Sequence, residues 1–332
     1  MKPHGRFFFP LLALALSTPL LGSPLSGNAR AQVVKPLPAS RSAKEQRPSR
    51  IPFELTDGGH VLVRVSINGS EPLWFGVDSG NEQTLINWRQ ATALNLKLQA
   101  EGQAAGSGES PVDFALVKNV SFNLSGVKFV LGEIGVLPLE LSSASTPPIV
   151  GLLGYDFISR FVVEVDYEAR VMTLYPPRGY RYRGRGEIIP VRMMDNNPHV
   201  RVRVVLPGLA PVTGMFVIDS GGGGTDLEFY SPFVRKRKLL DSTQQTTEAA
   251  VEGIGGRSGV RIGKATNLRI GRLIIQNPVV FFSMAAQGGD AGDIGAGVIG
   301  SNLLRRFKKV IYDQTRHRMI LEERRDRQDL QD

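Results

Sequence analysis

The 332-residue chain contains no cysteine, so disulfides, thiolate nucleophiles, zinc–thiolate centres and a lipid-modified N-terminal cysteine are excluded. Histidine is scarce, with four residues in all. Only His60, His199 and His317 lie beyond the first few residues, and without thiolates they do not readily close a metal site. No metal or organic cofactor is expected. Beyond the N-terminal stretch, no window approaches the roughly 18 apolar residues that a membrane-spanning helix needs. There is no Gly-x-Ser-x-Gly element of the serine-hydrolase kind. Gly295-Ala296-Gly297-Val298-Ile299-Gly300 matches a dinucleotide fingerprint by letter, but it follows a loop rich in Gly and Asp and leaves too little chain for a nucleotide-binding unit.

Acidic residues are absent from the first 31 positions. Lys2 and Arg6 precede an apolar run over 7–21, and Ala29-Arg30-Ala31 supplies a small-x-small site, the pattern of a secretory signal cut after Ala31. An uncleaved anchor is the alternative, disfavoured because the run is short and broken by Pro10 and Pro19. Residues 32–50, rich in Pro, Ser, Lys and Arg, read as a flexible leader. Export without disulfides suits a bacterial periplasm or the extracellular space. The formal net charge is +9, with Lys2, Arg6 and Arg30 inside the segment expected to be removed. Much of the remaining excess sits in Arg235-Lys236-Arg237-Lys238 and in 178–185. These runs read as solvated or anion-attracting surface, and no nucleic-acid partner is expected.

The chain does contain a duplication. Phe75-Gly76-Val77-Asp78-Ser79-Gly80 and Phe216-Val217-Ile218-Asp219-Ser220-Gly221 each run an apolar strand into Asp-Ser-Gly. Upstream, His60-Val61-Leu62-Val63-Arg64-Val65 is answered by His199-Val200-Arg201-Val202-Arg203-Val204, each followed by a turn, Asn68-Gly69 or Pro207-Gly208. Thr84 and Thr225 sit six residues after each Asp. Each copy later closes with two apolar residues and a glycine, Leu152-Leu153-Gly154 and Val298-Ile299-Gly300, and ends in a strand at 171–174 or 318–321. A spacing of about 140 residues exceeds any solenoid unit, so this is a duplicated domain. Strands are expected at 61–67, 73–78, 117–124, 161–166, 171–175, 200–206, 214–219, 266–275 and 278–283. Short helices are expected at 87–94, 155–160, 231–239 (Ser231 as N-cap, Pro232 at the first helical position) and 301–307. Alone, one Asp-Ser-Gly is a turn. Two at equivalent positions of a mostly β duplication can be brought together, and two adjacent carboxylates share a proton, so that one acts as base and the other as acid.

The strand-Asp-Ser-Gly element with its later apolar-apolar-Gly, and the run Gly151-Leu152-Leu153-Gly154-Tyr155-Asp156-Phe157-Ile158-Ser159-Arg160-Phe161, resemble the aspartic protease superfamily, in particular its bacterial retropepsin-like members. The resemblance spans about 51–323. It implies a mostly β fold of two similar acid-protease-like barrel lobes with a cleft between them, an N-terminal lobe at 51–178, a C-terminal lobe at 179–323 and a charged tail at 324–332. It further implies that Asp78 and Asp219 form a catalytic dyad supported by Ser79, Gly80, Thr84, Ser220, Gly221 and Thr225. Glycine-rich flaps would fall at 102–108 and 253–259, with Gly106, Ser107, Gly108, Gly253, Gly255 and Gly256 as their candidates. The implied activity is peptide-bond hydrolysis by a monomer on an extended peptide or protein substrate, without cofactor or stable membrane insertion. A peptide-binding protein that has lost catalysis is the other reading of the same fold. The pattern departs from the family's commoner Asp-Thr-Gly in both triplets. Glu82 would add a third carboxylate near the dyad.

Overall fold

The computed structural model describes residues 47–324 apart from 140–146, 242 and 244. The expected signal, most of the leader and the tail beyond Arg324 lie outside the described residues. The fold is mostly β, with two barrel-like lobes and a sheet shared between them.

The strand Val61–Ile67 turns through Asn68 and Gly69, both at positive φ, into Leu73–Val77. An Asn-Gly pair suits that mirror-image hairpin turn because neither residue resists a left-handed conformation strongly. Leu73–Val77 delivers Asp78 and runs parallel to Ile149–Leu153, which pairs antiparallel with Leu85–Asn87. Leu85–Asn87 runs parallel to Val127–Leu137, and the antiparallel strands Val112–Leu124 and Gln99–Ala104 complete this side. Pairing of Ile67 with Phe122 closes the first lobe.

The second lobe repeats the order. Val212–Ile218 delivers Asp219 between Asn197–Val205 and a parallel partner, Gly297–Ile299. Leu227–Phe229, Val279–Ser283, Gly256–Lys264 and Thr247–Gly253 then follow with matching directions.

A six-stranded sheet joins the lobes in the order Ser49–Pro52, Val171–Tyr175, Val162–Asp166, Lys309–Asp313, Arg318–Glu322, Glu187–Pro190. At its centre the strands of opposite halves are hydrogen-bonded, with Val163 opposite Tyr312, and Lys309 Nζ lies 2.8 Å from Glu164 Oε1.

Three expectations are corrected here. The leader does not stay irregular to residue 50, because Ser49 and Arg50 belong to the first strand of the shared sheet. The strand expected over 266–275 is a hairpin, Asn267–Ile270 and Leu273–Gln276, since Gly271 at φ +58 reverses the chain. Tyr230, not Ser231, caps the helix Ser231–Arg237, and the Ser231 hydroxyl donates instead to Ala285 O at 2.6 Å. The basic residues Arg235, Lys236 and Arg237 fill the last turn of that helix, where its dipole favours cations. Tyr180 and Tyr182, which interleave the 178–185 run, pack against Val162, Ile311 and Ile320 of the shared sheet.

One apolar core runs through both lobes. Phe157, fully buried, lies 5.1 Å from Phe129 and 5.7 Å from Phe161 by ring centroids. Phe157→Ala is expected to cost about 3–5 kcal/mol through lost contacts and a residual cavity. Urea denaturation measures this, and a cost below about 1 kcal/mol would contradict the packing described.

Candidate active site

Each Asp-Ser-Gly leaves its strand beside the apolar-Gly turn of the same lobe. Asp78 N donates to Leu153 O at 2.9 Å and Asp219 N to Ile299 O at 3.0 Å. Just beyond, Tyr155 N donates to Asn81 O and Ser301 N to Gly222 O, both at 2.7 Å. Gly154 and Gly300 must be glycines, because a Cβ would stand 2.5 Å from Gln83 C in one case and 2.4 Å from Thr225 O in the other.

The two loops are fastened to each other by their serines. Ser79 Oγ donates to Ile218 O at 2.8 Å and accepts from Ser220 N at 3.1 Å. Ser220 Oγ donates to Val77 O at 2.8 Å and accepts from Ser79 N at 3.0 Å. Each hydroxyl thereby satisfies both a buried carbonyl and a buried amide of the other lobe, groups that would be costly to leave unpaired. The buried phenol of Tyr312, on the shared sheet, adjoins both serines. This crossing brings Gly80 against Asp219 and Gly221 against Asp78 so closely that a Cβ on either would lie 2.4 Å from the facing carboxyl carbon.

Asp78 and Asp219 are therefore neighbours, both buried. Asp219 Oδ1 accepts from Gly221 N at 2.7 Å and Gly222 N at 2.8 Å, while its Oδ2 has no backbone or hydroxyl donor. Asp78 Oδ1 accepts from Gly80 N at 3.0 Å. Burial, and then the charge of Asp78, push the Asp219 carboxyl well above the usual carboxylate range. Burial also raises Asp78, but the hydrogen bond from Asp219 and nearby amides pull the other way. Two carboxyls so placed share one proton more readily than they both ionise.

The two supporting threonines differ. Thr84 Oγ1 accepts from Gly154 N at 3.1 Å and donates to the Asp156 carboxylate at 2.6 Å, bracing the turn under Asp78. Thr225 Oγ1 instead accepts from Leu227 N and donates to Leu227 O, and Asp226 O receives Gly300 N. Glu82 takes a hydrogen bond from Asn196 at 3.2 Å on a partly exposed face, away from the dyad's own partners.

The remaining candidates occupy the tips of two hairpins that meet. Residues 106–110 lie between Gln99–Ala104 and Val112–Leu124, and Ile254-Gly255 between Thr247–Gly253 and Gly256–Lys264. Gly108 N donates to Ile254 O at 2.8 Å and Ser110 N to Gly255 O at 2.9 Å. Ile254 is buried in a cluster of the first lobe with Leu62 and Leu152, which flank Gly76, two residues before Asp78.

Sequence reasoning missed several residues here. His60 is hydrogen-bonded to the Gly221 backbone and held neutral, burial lowering its pKa to about 4. Its position at the start of a matched strand gave no hint of a reach across lobes. Ser301 Oγ makes a second crossing, to Gly58 O at 2.8 Å. Among the described residues no group of three or more acidic or histidine side chains could hold a metal ion, and no helix is long and apolar enough to cross a membrane.

The fold is that of the aspartic proteinases. An aspartic proteinase from Irpex lacteus superposes with a TM-score of 0.52 at 12% identity, covering 83% of this chain and 97% of that one. Residues 63–157 match the family model of an aspartyl protease, and no curated protein matches the sequence. The family match lies within the first lobe, and the likeness in fold extends over both.

Ser79→Ala and Ser220→Ala are each expected to lower stability by about 1–3 kcal/mol, since each strands a buried carbonyl and a buried amide. The double variant should cost clearly less than the sum, because the two hydroxyls serve one junction. Additive costs in a urea-denaturation double-mutant cycle would contradict a shared crossing.

Proposed function

We propose that the protein is an aspartic endopeptidase in which Asp78 and Asp219, one from each lobe, activate water for attack on a peptide bond. The observation that carries this reading is the burial of two carboxyl groups against one another at the ends of matched strands, each loop pinned by the serine of the other.

Asp219, the more strongly raised of the two, serves as the acid and Asp78 as the base. Asp78 takes a proton from a water whose oxygen adds to the scissile carbonyl carbon, and Asp219 gives its proton to the carbonyl oxygen as the tetrahedral diol forms. Asp78 then passes its proton to the departing nitrogen. Asp219 recovers one from the diol hydroxyl as the carbonyl re-forms, and the carbon–nitrogen bond breaks. Paired carboxyls in aspartic proteases divide the roles of acid and base in this way, because like charges so close cannot both ionise. Ser79, Gly80, Ser220 and Gly221 hold the geometry, and Thr84 and Thr225 stiffen the loops.

The hairpin tips at 106–110 and 253–256 act as flaps. They close on each other and part to admit an extended peptide, which the cleft binds through strand-like backbone hydrogen bonds. Because one chain supplies both aspartates, the monomer is the working unit. The charged, then apolar, N-terminal segment ending at Ala31 supports export, with the mature chain beginning at Gln32.

Cleavage of a diverse peptide library between about pH 3 and 7 tests the proposal. Asp78→Asn and Asp219→Asn are each expected to reduce cleavage by about 10²–10⁴ or more while remaining folded. Undiminished turnover in either variant would refute the dyad. A folded wild type that binds peptides but never cuts them would favour a peptide-binding protein.

A further inference from the structure

A second buried carboxyl pair lies in the C-terminal lobe and has no part in the chemistry above. Glu228 occupies the middle of Leu227–Phe229, and Asp290 the turn Gly289–Ala291; they are 5% and 0% exposed. Their carboxyls are close enough to act directly on each other, so that either can donate to its neighbour when a proton is present. Glu228 Oε1 and both Asp290 oxygens have no other donor, and among the described residues neither side chain has an ion-pair partner.

The residues opposite Glu228 on its neighbouring strands, Phe281 and Val298, are uncharged. The buried Tyr230 phenol is raised by burial and then by Asp290, Asp219 and Glu228, which places it electrostatically near both carboxyl pairs. Around Asp290, the following Asp293 is exposed, and the hairpin tip packed on this segment contributes Glu109, whose Oε1 accepts from Ala286 N at 3.3 Å.

Asp290 lies next to the contact between this turn and the first lobe. Gly289 N donates to Gly106 O at 2.8 Å. Gly288, at φ +80, approaches so closely that a Cβ would stand 2.4 Å from Gly108 O. Gly108 in turn donates to Ile254 O of the other hairpin. The turn is thus a three-way junction, fixed to its own lobe near Ala285 by Ser231 and at Asp290 by Glu228.

We propose that Glu228 and Asp290 are positioning residues for the reaction proposed above: their shared proton fastens the 288–291 turn to the C-terminal lobe, and through Gly288 and Gly289 that turn holds the tip of the N-terminal hairpin closed. The consequence for catalysis rests on the endopeptidase reading, whereas the clamp itself can be observed without turnover. Two ionised carboxylates in contact, buried and without a cation, repel and call for water. Loss of protons from the pair therefore loosens the turn and the hairpin tip seated on it.

Burial raises Asp290 to about 7 and Glu228 well above the usual range. Both groups bind protons more tightly folded than unfolded, so their contribution is full below about pH 4 and is lost as pH rises through about 7 and beyond.

Amide hydrogen exchange of the full mature chain, corrected for intrinsic rates, tests this at Gly108 and Gly289. From pH 5 to 8 the wild type is expected to show at least a tenfold rise in the opening of these two amides, with amides in 61–67 unchanged. E228Q/D290N, neutral at every pH but able to hydrogen-bond, should stay protected with less than a twofold change. E228Q alone, which keeps a donor toward Asp290, should show a reduced rise. D219N should keep the wild-type rise, which separates this pair from the dyad. A flat wild-type profile, or an unchanged rise in E228Q/D290N, would overturn the proposal. Where cleavage is measurable, the alkaline rise in KM should vanish in E228Q/D290N while the dyad's effect on kcat persists. Absence of cleavage would count against the endopeptidase reading and leave the exchange result to decide the clamp.

Discussion

Two carboxyl groups pressed together away from water repel as soon as both ionise, and among the described residues neither has an ion-pair partner. What keeps Asp78 and Asp219 adjacent is the reciprocal crossing of Ser79 and Ser220, four hydrogen bonds of 2.8–3.1 Å that tie each loop to the strand end of the other. The rest of the molecule serves that junction. The apolar-Gly turns press on each loop from within its lobe, and the six-stranded sheet locks the lobes together beneath Tyr312. The lobes cannot drift apart without stranding buried polar groups at the one place where stranding them costs most.

The two hairpins add a closure that draws on both halves. Ile254 of the second lobe is buried among first-lobe side chains, and the turn at 288–291 of the second lobe holds the first-lobe tip. The tips therefore do not close as independent lids. Each lobe carries part of the seat for the hairpin of the other, so opening at one contact weakens the next. A proton shared by Glu228 and Asp290 gives that network a chemical dependence that apolar packing alone would not have.

Much of this was legible in the sequence because it was written twice. The Asp-Ser-Gly triplets, their delivering strands and the apolar-Gly turns obey local rules, and the repetition separates them from ordinary turns. What stayed hidden was long-range. Ser49 and Arg50 read as leader by composition, but they belong to a strand that pairs with Val171–Tyr175. Val162–Asp166 and Lys309–Asp313, one from each half, pair with each other, which no local pattern states. The break at Gly271 lies inside the run 266–275, whose apolar residues continue on both sides of it. Glu228 offered one faint signal, a lone charge in the apolar stretch Leu227-Glu228-Phe229-Tyr230. Asp290 lies in a loop rich in Gly and Asp, where one more acidic residue carries no signal of its own.

The most direct test of the account is a titration of the aspartate side-chain carboxyl carbons by NMR in protein labelled at Asp, assigned through D78N and D219N. The account predicts that Asp78 and Asp219 titrate as one coupled pair, with a step displaced well above the usual carboxylate range that collapses to a single step when either partner is replaced. Two independent titrations near 4, the ordinary value for aspartate, each indifferent to loss of the other, would contradict it.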